Sequence, residues 1–327
     1  MARFFLTGAT GFVGSHVAEK LVEGGHQLYC LVRKTSNLHW IQHLPLELVT
    51  GQLSQPESYK EILPQVDYVV HVAGVTKAFR REDYYRGNVE NTRFLLETIE
   101  QSGSGIKKFL YVSSQAAVGP SPTAQAIDET FSPKPITDYG KSKLLAEQLV
   151  REHADRLPIT IVRPPAVYGP RDTDVLHFFK NLKSGWNVQV GNIDQLVSLV
   201  YVEDLAVGIR EATMSANTTG NTYFVCEEQA YRWSFVASVA ARILQVTYRT
   251  VKIPYPLAYA VAGVIEWVGR LRGKPTILNR QKMREVRQQF WVVSPQRAKR
   301  DFGYQTHFPL NRGIEATIQW YRGMGWL

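Results

Sequence analysis

Cysteine is nearly absent from this 327-residue chain, which has only Cys30 and Cys226. A disulfide framework is therefore excluded, and Cys30, inside the apolar run 28–32, is interpreted as a small core residue. The chain has no internal repeats or low-complexity tracts, and it lacks the layout of a signal peptide, because a glycine-rich segment begins at residue 8. These absences predict a cytoplasmic protein.

Motifs for metal and nucleic-acid binding are also missing. His16, His26, His71 and His177 do not have the spacing of metal ligands, so no metal site is predicted. His71, at the end of a predicted strand, is interpreted as a packed histidine. The net charge is +9, but no nucleic-acid-binding motif accompanies it. Nucleic acid is therefore excluded as a predicted partner.

The composition is typical of a soluble folded protein, with 44% hydrophobic and 20% charged residues. The length fits one globular unit or two closely joined lobes. Positive charge is concentrated between Arg270 and Arg300, where ten lysines and arginines stand against Glu285 alone. This segment indicates an anionic partner (a nucleotide, a phosphorylated substrate or a membrane surface) or simply a solvated surface.

The segment Ile253–Gly269 is strongly apolar but short for a membrane-spanning helix, and it contains Glu266. Basic residues flank it on both sides, which suits a helix lying at a membrane interface, and this interpretation covers residues 253–274. The favoured interpretation is instead an apolar lid helix packed over the substrate site.

Apolar runs alternate with helical patterns through the first half, which predicts a doubly wound parallel sheet with helices on both faces. After Arg163 the alternation ends, because Pro164, Pro165, Gly169 and Pro170 interrupt regular structure. We expect the later segments to be irregular and to form a smaller substrate-binding lobe, with some segments returning to the sheet. The predicted domains are 1–165 and 166–327. The predicted strands are 3–7, 27–32, 46–50, 68–72, 109–113 and 159–163, and the predicted helices are 12–23, 84–101 and 139–154.

Three glycines, Gly8, Gly11 and Gly14, separate the first predicted strand from the first helix. Such a turn lets backbone N–H groups approach an anion, and the helix dipole favours negative charge there. Ligands bind beyond the carboxyl ends of the strands in such sheets. A pyrophosphate fits this position, although an ordinary turn has the same local pattern.

A second pattern, YGKSK at 139–143, suggests proton-transfer chemistry. Tyr139 and Lys143 are four residues apart and share one face of the predicted helix. A nearby lysine cation would lower the tyrosine pKa from about 10, so that the phenol could exchange a proton with a substrate oxygen. Ser114, after the fifth strand, could hold a substrate carbonyl. Ser113 is interpreted as a strand-end residue that caps the backbone.

Together these motifs resemble the extended short-chain dehydrogenases/reductases, the NAD-dependent epimerase/dehydratase family, in particular members of the 3-beta-hydroxysteroid dehydrogenase and dihydroflavonol reductase type. The resemblance covers nearly the whole chain. The matching motifs are GATGFVG (8–14), HVAG (71–74), GNVENT (87–92), YVSSQAAVG (111–119), YGKSK (139–143), RPPAVYGPRD (163–172), YVEDLA (201–206) and GIEATIQWYRGMGWL (313–327).

The resemblance implies a Rossmann-type domain with Ser114 as catalytic hydroxyl, Tyr139 as acid/base, and Lys143 binding the nicotinamide ribose. It places Asn88 on the helix behind the site and implies a homodimer formed through helices near 84–101 and 139–154. The implied cofactor-binding residues are Gly8, Thr10, Gly11, Phe12, Val13, Gly14, Arg33, Lys34, Gln52, Leu53, Val72, Ala73, Gly74, Tyr139, Lys143, Pro164 and Val167.

The end of the second strand bears on the cofactor. Val32 stands where an NAD-binding acid is expected, and Arg33 and Lys34 follow it. Two cations and no carboxylate suit a 2′-phosphate, which favours NADP(H) and leaves NAD(H) as the alternative. Gln52 replaces the family's usual aspartate after the third strand.

Two enzymatic functions remain open. The favoured one is reversible oxidation and reduction of a lipid, steroid-like, terpenoid or aromatic alcohol or carbonyl. The alternative is a nucleotide-sugar epimerase with tightly bound NAD, and a non-catalytic NADP sensor is a minor third. Dehydration is disfavoured because Gln115 and Ala116 stand where dehydratases carry acidic residues. The predicted substrate contacts are Thr76, Ser114, Gln115, Arg171 and Phe178, with Phe179 and Trp186 assigned either to the pocket or to the core.

Overall fold

The computed structural model describes residues 1–191, 193–273, 276 and 279–327. Its main feature is a seven-stranded parallel sheet with strand order β11-β6-β5-β4-β1-β2-β3. The strands are β1 (Arg3–Thr7), β2 (Gln27–Val32), β3 (Glu47–Thr50), β4 (Tyr68–His71), β5 (Lys108–Val112), β6 (Ile159–Arg163), β7 (Ala166–Tyr168), β8 (Trp186–Val190), β9 (Leu196–Val197), β10 (Leu199–Tyr201), β11 (Thr222–Phe224), β12 (Tyr231–Arg232), β13 (Arg249–Ile253) and β14 (Phe290–Trp291).

The helices cover the sheet and build a second lobe beyond its carboxyl edge. They are α1 (Phe12–Glu23), α2 (Arg81–Tyr85), α3 (Asn91–Gln101), α4 (Asp138–Glu152), α5 (Asp174–Lys183), α6 (Val202–Met214), α7 (Trp233–Leu244), α8 (Tyr255–Leu271), α9 (Arg280–Val286), α10 (Gln296–Phe302) and α11 (Leu310–Gly323).

The sheet has hydrophobic clusters on both faces, as expected for parallel strands. Phe4 and Leu6 of β1 pack into one cluster, and Phe5 packs into the other; all three are completely buried. Successive residues of a strand point to opposite faces, so an uninterrupted apolar run requires burial on both sides. The predicted doubly wound α/β fold is confirmed.

The second half of the chain is more regular than the sequence indicated. It contains seven α-helices and eight short strands among the described residues, whereas the prolines and glycines after Arg163 led us to expect irregular structure. Pro164, Pro165 and Pro170 break only the segment that leaves β6. The later strand β11 pairs with β6 in the main sheet. The division at residue 165 remains a prediction.

The predicted helix 84–101 is interrupted. It begins earlier, at Arg81, and contains a π-helical turn at Arg86–Glu90 before α3. This turn places the Asn88 amide against the backbone of Val75: Nδ2 donates to the Val75 carbonyl (3.0 Å), and Oδ1 accepts from the Val75 N–H (2.7 Å). π-helical turns are common at functional sites. Here the turn positions the Asn88 amide so that it holds the loop after β4 through two hydrogen bonds.

Candidate active site

The glycine-rich loop is closely packed between β1 and α1. Gly8 has a positive φ of 81°, and a Cβ atom there would lie 2.6 Å from the Ala73 nitrogen. A Cβ on Gly14 would lie 2.0 Å from the Gly8 carbonyl oxygen. Gly11 is the N-cap residue of α1 and is exposed, with no side-chain cap on the helix. The first N–H groups of α1 therefore face a space that an anion can enter.

This loop lies where the strand order reverses, because β1 stands between β2 on one side and β4 on the other. A crevice at such a reversal is where dinucleotides bind in doubly wound sheets. The residues predicted to contact the cofactor follow the carboxyl ends of successive strands. They are Thr10, Phe12 and Val13 after β1; Arg33 and Lys34 after β2; Gln52 and Leu53 after β3; Val72, Ala73 and Gly74 after β4; and Pro164 and Val167 after β6.

The far end of this edge is basic. Arg33 and Lys34 are both exposed, and no carboxylate in the described part of the chain forms an ion pair with either of them. The Arg33 N–H donates to Ser36 Oγ at 3.1 Å, which curls the chain after β2. Gln52 is exposed, whereas Leu53 is buried in the core. The edge thus offers two unpaired cations to a ligand.

Ser114 and Tyr139 line one cavity of about 620 Å³ between the sheet edge and the second lobe. Ser114 lies just beyond β5, and its Oγ accepts from the Ala116 N–H at 3.1 Å. Tyr139 lies in the first turn of α4, which is capped by Thr137: the Thr137 Oγ1 accepts from the Gly140 N–H at 3.1 Å. Two separate elements, a strand end and a capped helix start, therefore bring the two hydroxyl groups together.

Lys143 does not lower the pKa of Tyr139 in this structure, contrary to the sequence prediction. Burial raises the pKa of Tyr139 to about 12, and a hydrogen bond with Ser114 only partly opposes this. Lys143 Nζ instead donates to the Val112 carbonyl at 2.8 Å and lies 4.1 Å from the centre of the Tyr111 ring. Burial also lowers the pKa of Lys143 to about 7. The phenol is consequently neutral near pH 7.

Ser113 does not cap the strand backbone, so this interpretation was wrong. Its Oγ donates to Glu147 Oε1 at 2.6 Å, and Glu147 also accepts two hydrogen bonds from Arg163, at 2.8 and 2.6 Å. Burial raises the pKa of Glu147, but the Arg163 guanidinium and the Ser113 hydroxyl bring it below its ordinary value. Ser113, Glu147 and Arg163 come from three different elements, so no local sequence pattern indicated this buried network.

Three of the five predicted substrate contacts, Thr76, Ser114 and Gln115, line the cavity. The Gln115 Nε2 is buried and lacks a hydrogen-bond partner among the described residues. Its backbone N–H donates to the Pro164 carbonyl at 2.8 Å, which fixes the residue at the sheet edge. The cavity therefore contains a donor that a ligand oxygen can satisfy.

Arg171 and Phe178 do not line the cavity, so both predictions were wrong. Arg171 turns towards α1, where it pairs with Glu19 and donates to Ser15 Oγ at 2.9 Å. Phe178 packs against Trp233 and Phe179, with ring centroids 5.2 and 5.5 Å away. Aromatic side chains on α5 serve the hydrophobic core of the second lobe, because only one side of that helix faces the substrate site. Phe179 is buried in this core, and Trp186 lies half-exposed at the start of β8.

The predicted lid does not consist of the apolar helix. The cavity wall opposite Ser114 comes from β8, α9 and neighbouring loops, whereas no residue of α8 lines it. α9 is joined to the start of α4 through Gln281, whose Nε2 donates to Asp138 Oδ2 at 2.9 Å and whose Oε1 accepts from the Asp138 N–H at 2.7 Å. Sequence reasoning missed the lining residues of α9 because they are about 140 positions from Tyr139 and belong to no motif.

His71 is a packed histidine, as predicted. It is completely buried, and its ring nitrogens lie 2.6 Å from Thr7 Oγ1 and 2.9 Å from Thr92 Oγ1. Within the described residues, no group of three or more His, Cys, Asp or Glu side chains is arranged to hold a metal ion.

Comparison with known proteins agrees with this geometry. The model of the NAD dependent epimerase/dehydratase family matches residues 4–226. A ceramide reductase of Caulobacter vibrioides is 29% identical over 98% of this chain and 95% of its own length. A decarboxylating sterol-4-alpha-carboxylate 3-dehydrogenase of Dictyostelium discoideum is 23% identical over 96% and 99% of the two chains.

Among solved structures, the crystal structure of gox2253 is 30% identical to this chain, covers all of both chains and has a TM-score of 0.82. The family model spans about two thirds of the sequence and includes the glycine loop, Ser114, Tyr139 and Lys143. The chain belongs to the NAD dependent epimerase/dehydratase family, within the extended short-chain dehydrogenases/reductases, and is an NAD(P)-dependent enzyme.

Proposed function

We propose that this enzyme interconverts a carbonyl and an alcohol on a long apolar, lipid-like substrate, using NADP(H). One observation carries the proposal: the cavity has a polar group of side chains at the sheet edge and a large set of apolar side chains, which stand among further polar residues such as Gln189, Asp194 and Gln195. Ser114, Gln115 and Tyr139 form the polar group. The apolar set includes Val188, Val190, Ile193, Val197, Trp233, Met283, Val286 and Trp291. A substrate with one oxygen function and a hydrocarbon body matches both parts.

The residues of the sheet edge fit a nicotinamide dinucleotide. Any Cβ on Gly8 or Gly14 would collide with the backbone, so the loop presents a bare backbone to a pyrophosphate. Lys143 lies close to the same edge, 3.8 Å from where a Cβ on Gly74 would stand. The dinucleotide supplies the two electrons and the hydrogen that reduce the carbonyl carbon.

The proton for the substrate oxygen comes from Tyr139 in this proposal. Its high pKa keeps the phenol protonated at neutral pH, so it donates to a developing alkoxide rather than acting first as a base. Ser114 accepts a backbone N–H through its oxygen and is hydrogen-bonded to Tyr139, so the two hydroxyl groups lie where one substrate oxygen can contact both. Gln115 Nε2 offers a further donor nearby.

The NADP preference rests on Arg33 and Lys34. Both cations are exposed, and the described residues provide no carboxylate for either, so a 2′-phosphate would be bound without breaking an existing ion pair. A ribose without the phosphate would leave these cations unused. The lipid class is supported by two similar proteins whose names concern a ceramide and a sterol.

The test is a turnover assay with NADPH and a matched pair of ketones: a long-chain 3-keto lipid in mixed micelles and a short-chain water-soluble ketone. We expect the ratio of kcat to KM to be at least about 100-fold higher for the lipid, since each buried methylene contributes about 0.8 kcal/mol. NADH should support slower turnover at equal concentration. Equal rates with both ketones would contradict the lipid assignment.

The epimerase alternative requires the cavity to hold a nucleotide diphosphate. Two lysines line the cavity within the described residues, and each already has a carboxylate partner: Lys77 pairs with Asp174, and Lys282 pairs with Glu285 at 2.8 Å. Arg171 is directed away from the cavity. Retained NAD after purification, together with interconversion of a UDP-sugar, would support the epimerase and overturn the reductase proposal.

A further inference from the structure

The surface helix α8 exposes apolar side chains along one whole face. Leu257, Val261, Val264, Trp267 and Leu271 are 56, 43, 62, 61 and 69% exposed. Their spacing of four, three, three and four residues places them on one side of the helix. A contiguous apolar face on the outside of a folded protein marks an interaction site.

The acidic residue of α8, Glu266, is largely buried instead. Glu266 accepts from the Arg280 N–H at 3.3 Å and from the Arg270 side chain at 2.7 Å. Tyr259 packs beside the small cluster formed by Ala258, Ala262 and Met283. The helix therefore directs its charged carboxylate towards α9 and its large apolar residues towards solvent, the reverse of an ordinary surface helix.

The two-stranded sheet next to α8 also exposes apolar residues. β8 and β13 are parallel, with Val188 opposite Val251 and Val190 opposite Ile253. These four residues share one face of the sheet because they alternate along the strands. Val190 and Ile253 pack against α8, whereas Val188 and Val251 are 46 and 39% exposed. Val188 also lines the substrate cavity, so the exposed face of β8–β13 borders the cavity.

Positive charge surrounds this apolar surface. From Arg249 to Arg287 the described residues include eight lysines and arginines, while Glu266 and Glu285 are the only acids, and both are engaged in ion pairs. Lys274, also within the predicted membrane segment, lies outside the described residues. The exposed cations are Arg249, Lys252, Arg270, Arg272, Arg280, Lys282, Arg284 and Arg287.

We propose that the exposed apolar faces of α8 and of β8–β13, named the docking surface below, bind the surface of an anionic lipid bilayer. α8 would lie in the interface plane with Leu257, Val264 and Trp267 among the acyl chains and the arginines at the headgroups. Within the described residues, no helix is long and apolar enough to cross a membrane. Charge complementarity selects an anionic bilayer over a second copy of this chain, because two such surfaces would repel each other.

The experiment is sedimentation of the full chain with vesicles of phosphatidylcholine, with or without about one third phosphatidylglycerol. The test variant is Val264→Glu with Trp267→Glu. The control is Leu48→Glu with Met214→Glu, two apolar residues outside the docking surface that are also exposed, by 43 and 44%. Thermal unfolding of both variants verifies that they fold, and light scattering gives their oligomeric state.

We expect binding to the anionic vesicles that weakens with salt, is lost about 10-fold or more in the test variant and persists in the control. A third variant, Arg272→Glu, should weaken binding to anionic vesicles only. The proposal is overturned by absence of vesicle binding, by equal binding of test and control variants, or by a dimer that the test variant dissociates. The turnover assay is independent of this outcome.

Discussion

Lys143 Nζ lies 2.8 Å from the carbonyl oxygen of Val112, at the carboxyl end of β5. This hydrogen bond holds the lysine in the sheet edge, one helical turn beyond Tyr139 on α4. Burial lowers the pKa of Lys143 to about 7 and raises that of Tyr139 to about 12. The phenol is therefore protonated at neutral pH, as the proposed carbonyl reduction requires.

The Tyr139 hydroxyl is the first target for substitution. Tyr139→Phe removes the proposed proton donor, and we expect reduction to slow by at least about 100-fold while NADPH affinity changes little. Tyr84→Phe is the matched control, because Tyr84 lines the same cavity with its ring 6.2 Å from that of Tyr139. Equal turnover of Tyr139→Phe and wild type would refute the assigned role.

Arg33 is expected to set the choice between the two dinucleotides. Arg33→Ala should weaken NADPH binding by about 10- to 100-fold, since hydrogen bonds to charged groups contribute about 1.5–3 kcal/mol. NADH binding should stay nearly constant because it lacks the 2′-phosphate. Fluorescence titration measures both affinities, with Arg93→Ala on α3 as an exposed control. A parallel loss for both dinucleotides would place Arg33 away from the phosphate.

The packing of the glycine loop makes Gly14 sensitive to one added carbon. In Gly14→Ala the new Cβ would approach the Gly8 carbonyl oxygen to 2.0 Å, so the loop must move. We expect a loss of about 1–3 kcal/mol in unfolding free energy and weakened dinucleotide binding. Gly105→Ala meets nothing within 4 Å and serves as the control. Chemical denaturation measures the free energy of unfolding of both variants. Equal values for Gly14→Ala and Gly105→Ala would contradict the predicted collision.

Because Glu147 belongs to a buried network, we expect a neutral isostere at this position to lower the free energy of unfolding strongly. Glu147→Gln leaves the Arg163 guanidinium, 3% exposed, without its charged partner. Breaking a buried pair in this way costs about 3–5 kcal/mol. Glu152→Gln, on the exposed part of the same helix, should change stability by less than about 0.5 kcal/mol. Urea unfolding followed by circular dichroism measures both, and a small loss in Glu147→Gln would show that the guanidinium finds other partners.

His71 predicts a loss of stability in acid. Burial, followed by the positive charge of Lys143, lowers its pKa to about 3 in the folded protein, whereas the unfolded chain takes up the proton near pH 6.5. The contribution of His71 is therefore complete above pH 6.5 and is lost as the pH falls from there towards 3. Below about pH 6 the loss is about 1.4 kcal/mol per pH unit.

Substituting His71 tests this dependence. Between pH 6 and 5, His71→Gln should reduce the slope of unfolding free energy against pH by about 1.4 kcal/mol per pH unit. This change in slope is expected whatever the substitution does to the absolute stability. His39→Gln changes an exposed histidine and should leave the slope unaltered. Identical slopes in His71→Gln and wild type would show that His71 is protonated in the folded state.

The sequence by itself predicted the sheet, the glycine loop, and the alternation of strands and helices, because these depend on local patterns. An uninterrupted apolar run such as Phe4–Leu6 can be satisfied only by burial on both faces. Gly8 and Gly14 mark a close approach of backbone segments that leaves no room for a Cβ atom. Ser114 and Tyr139 were placed beside each other because both belong to motifs at the same sheet edge.

Tertiary structure decided which side chains meet across long separations. Arg171 has the charge to bind a diphosphate, but its side chain forms an ion pair with Glu19 on α1 and does not line the cavity. A lid helix and an interfacial helix would both have the apolar pattern of α8. The periodicity of the sequence shows that the helix has an apolar face, but it does not show what covers that face. Only the packing of that helix against α9 shows that its apolar face points to solvent. Contacts between distant segments depend on how elements pack, and that information is spread over the whole chain.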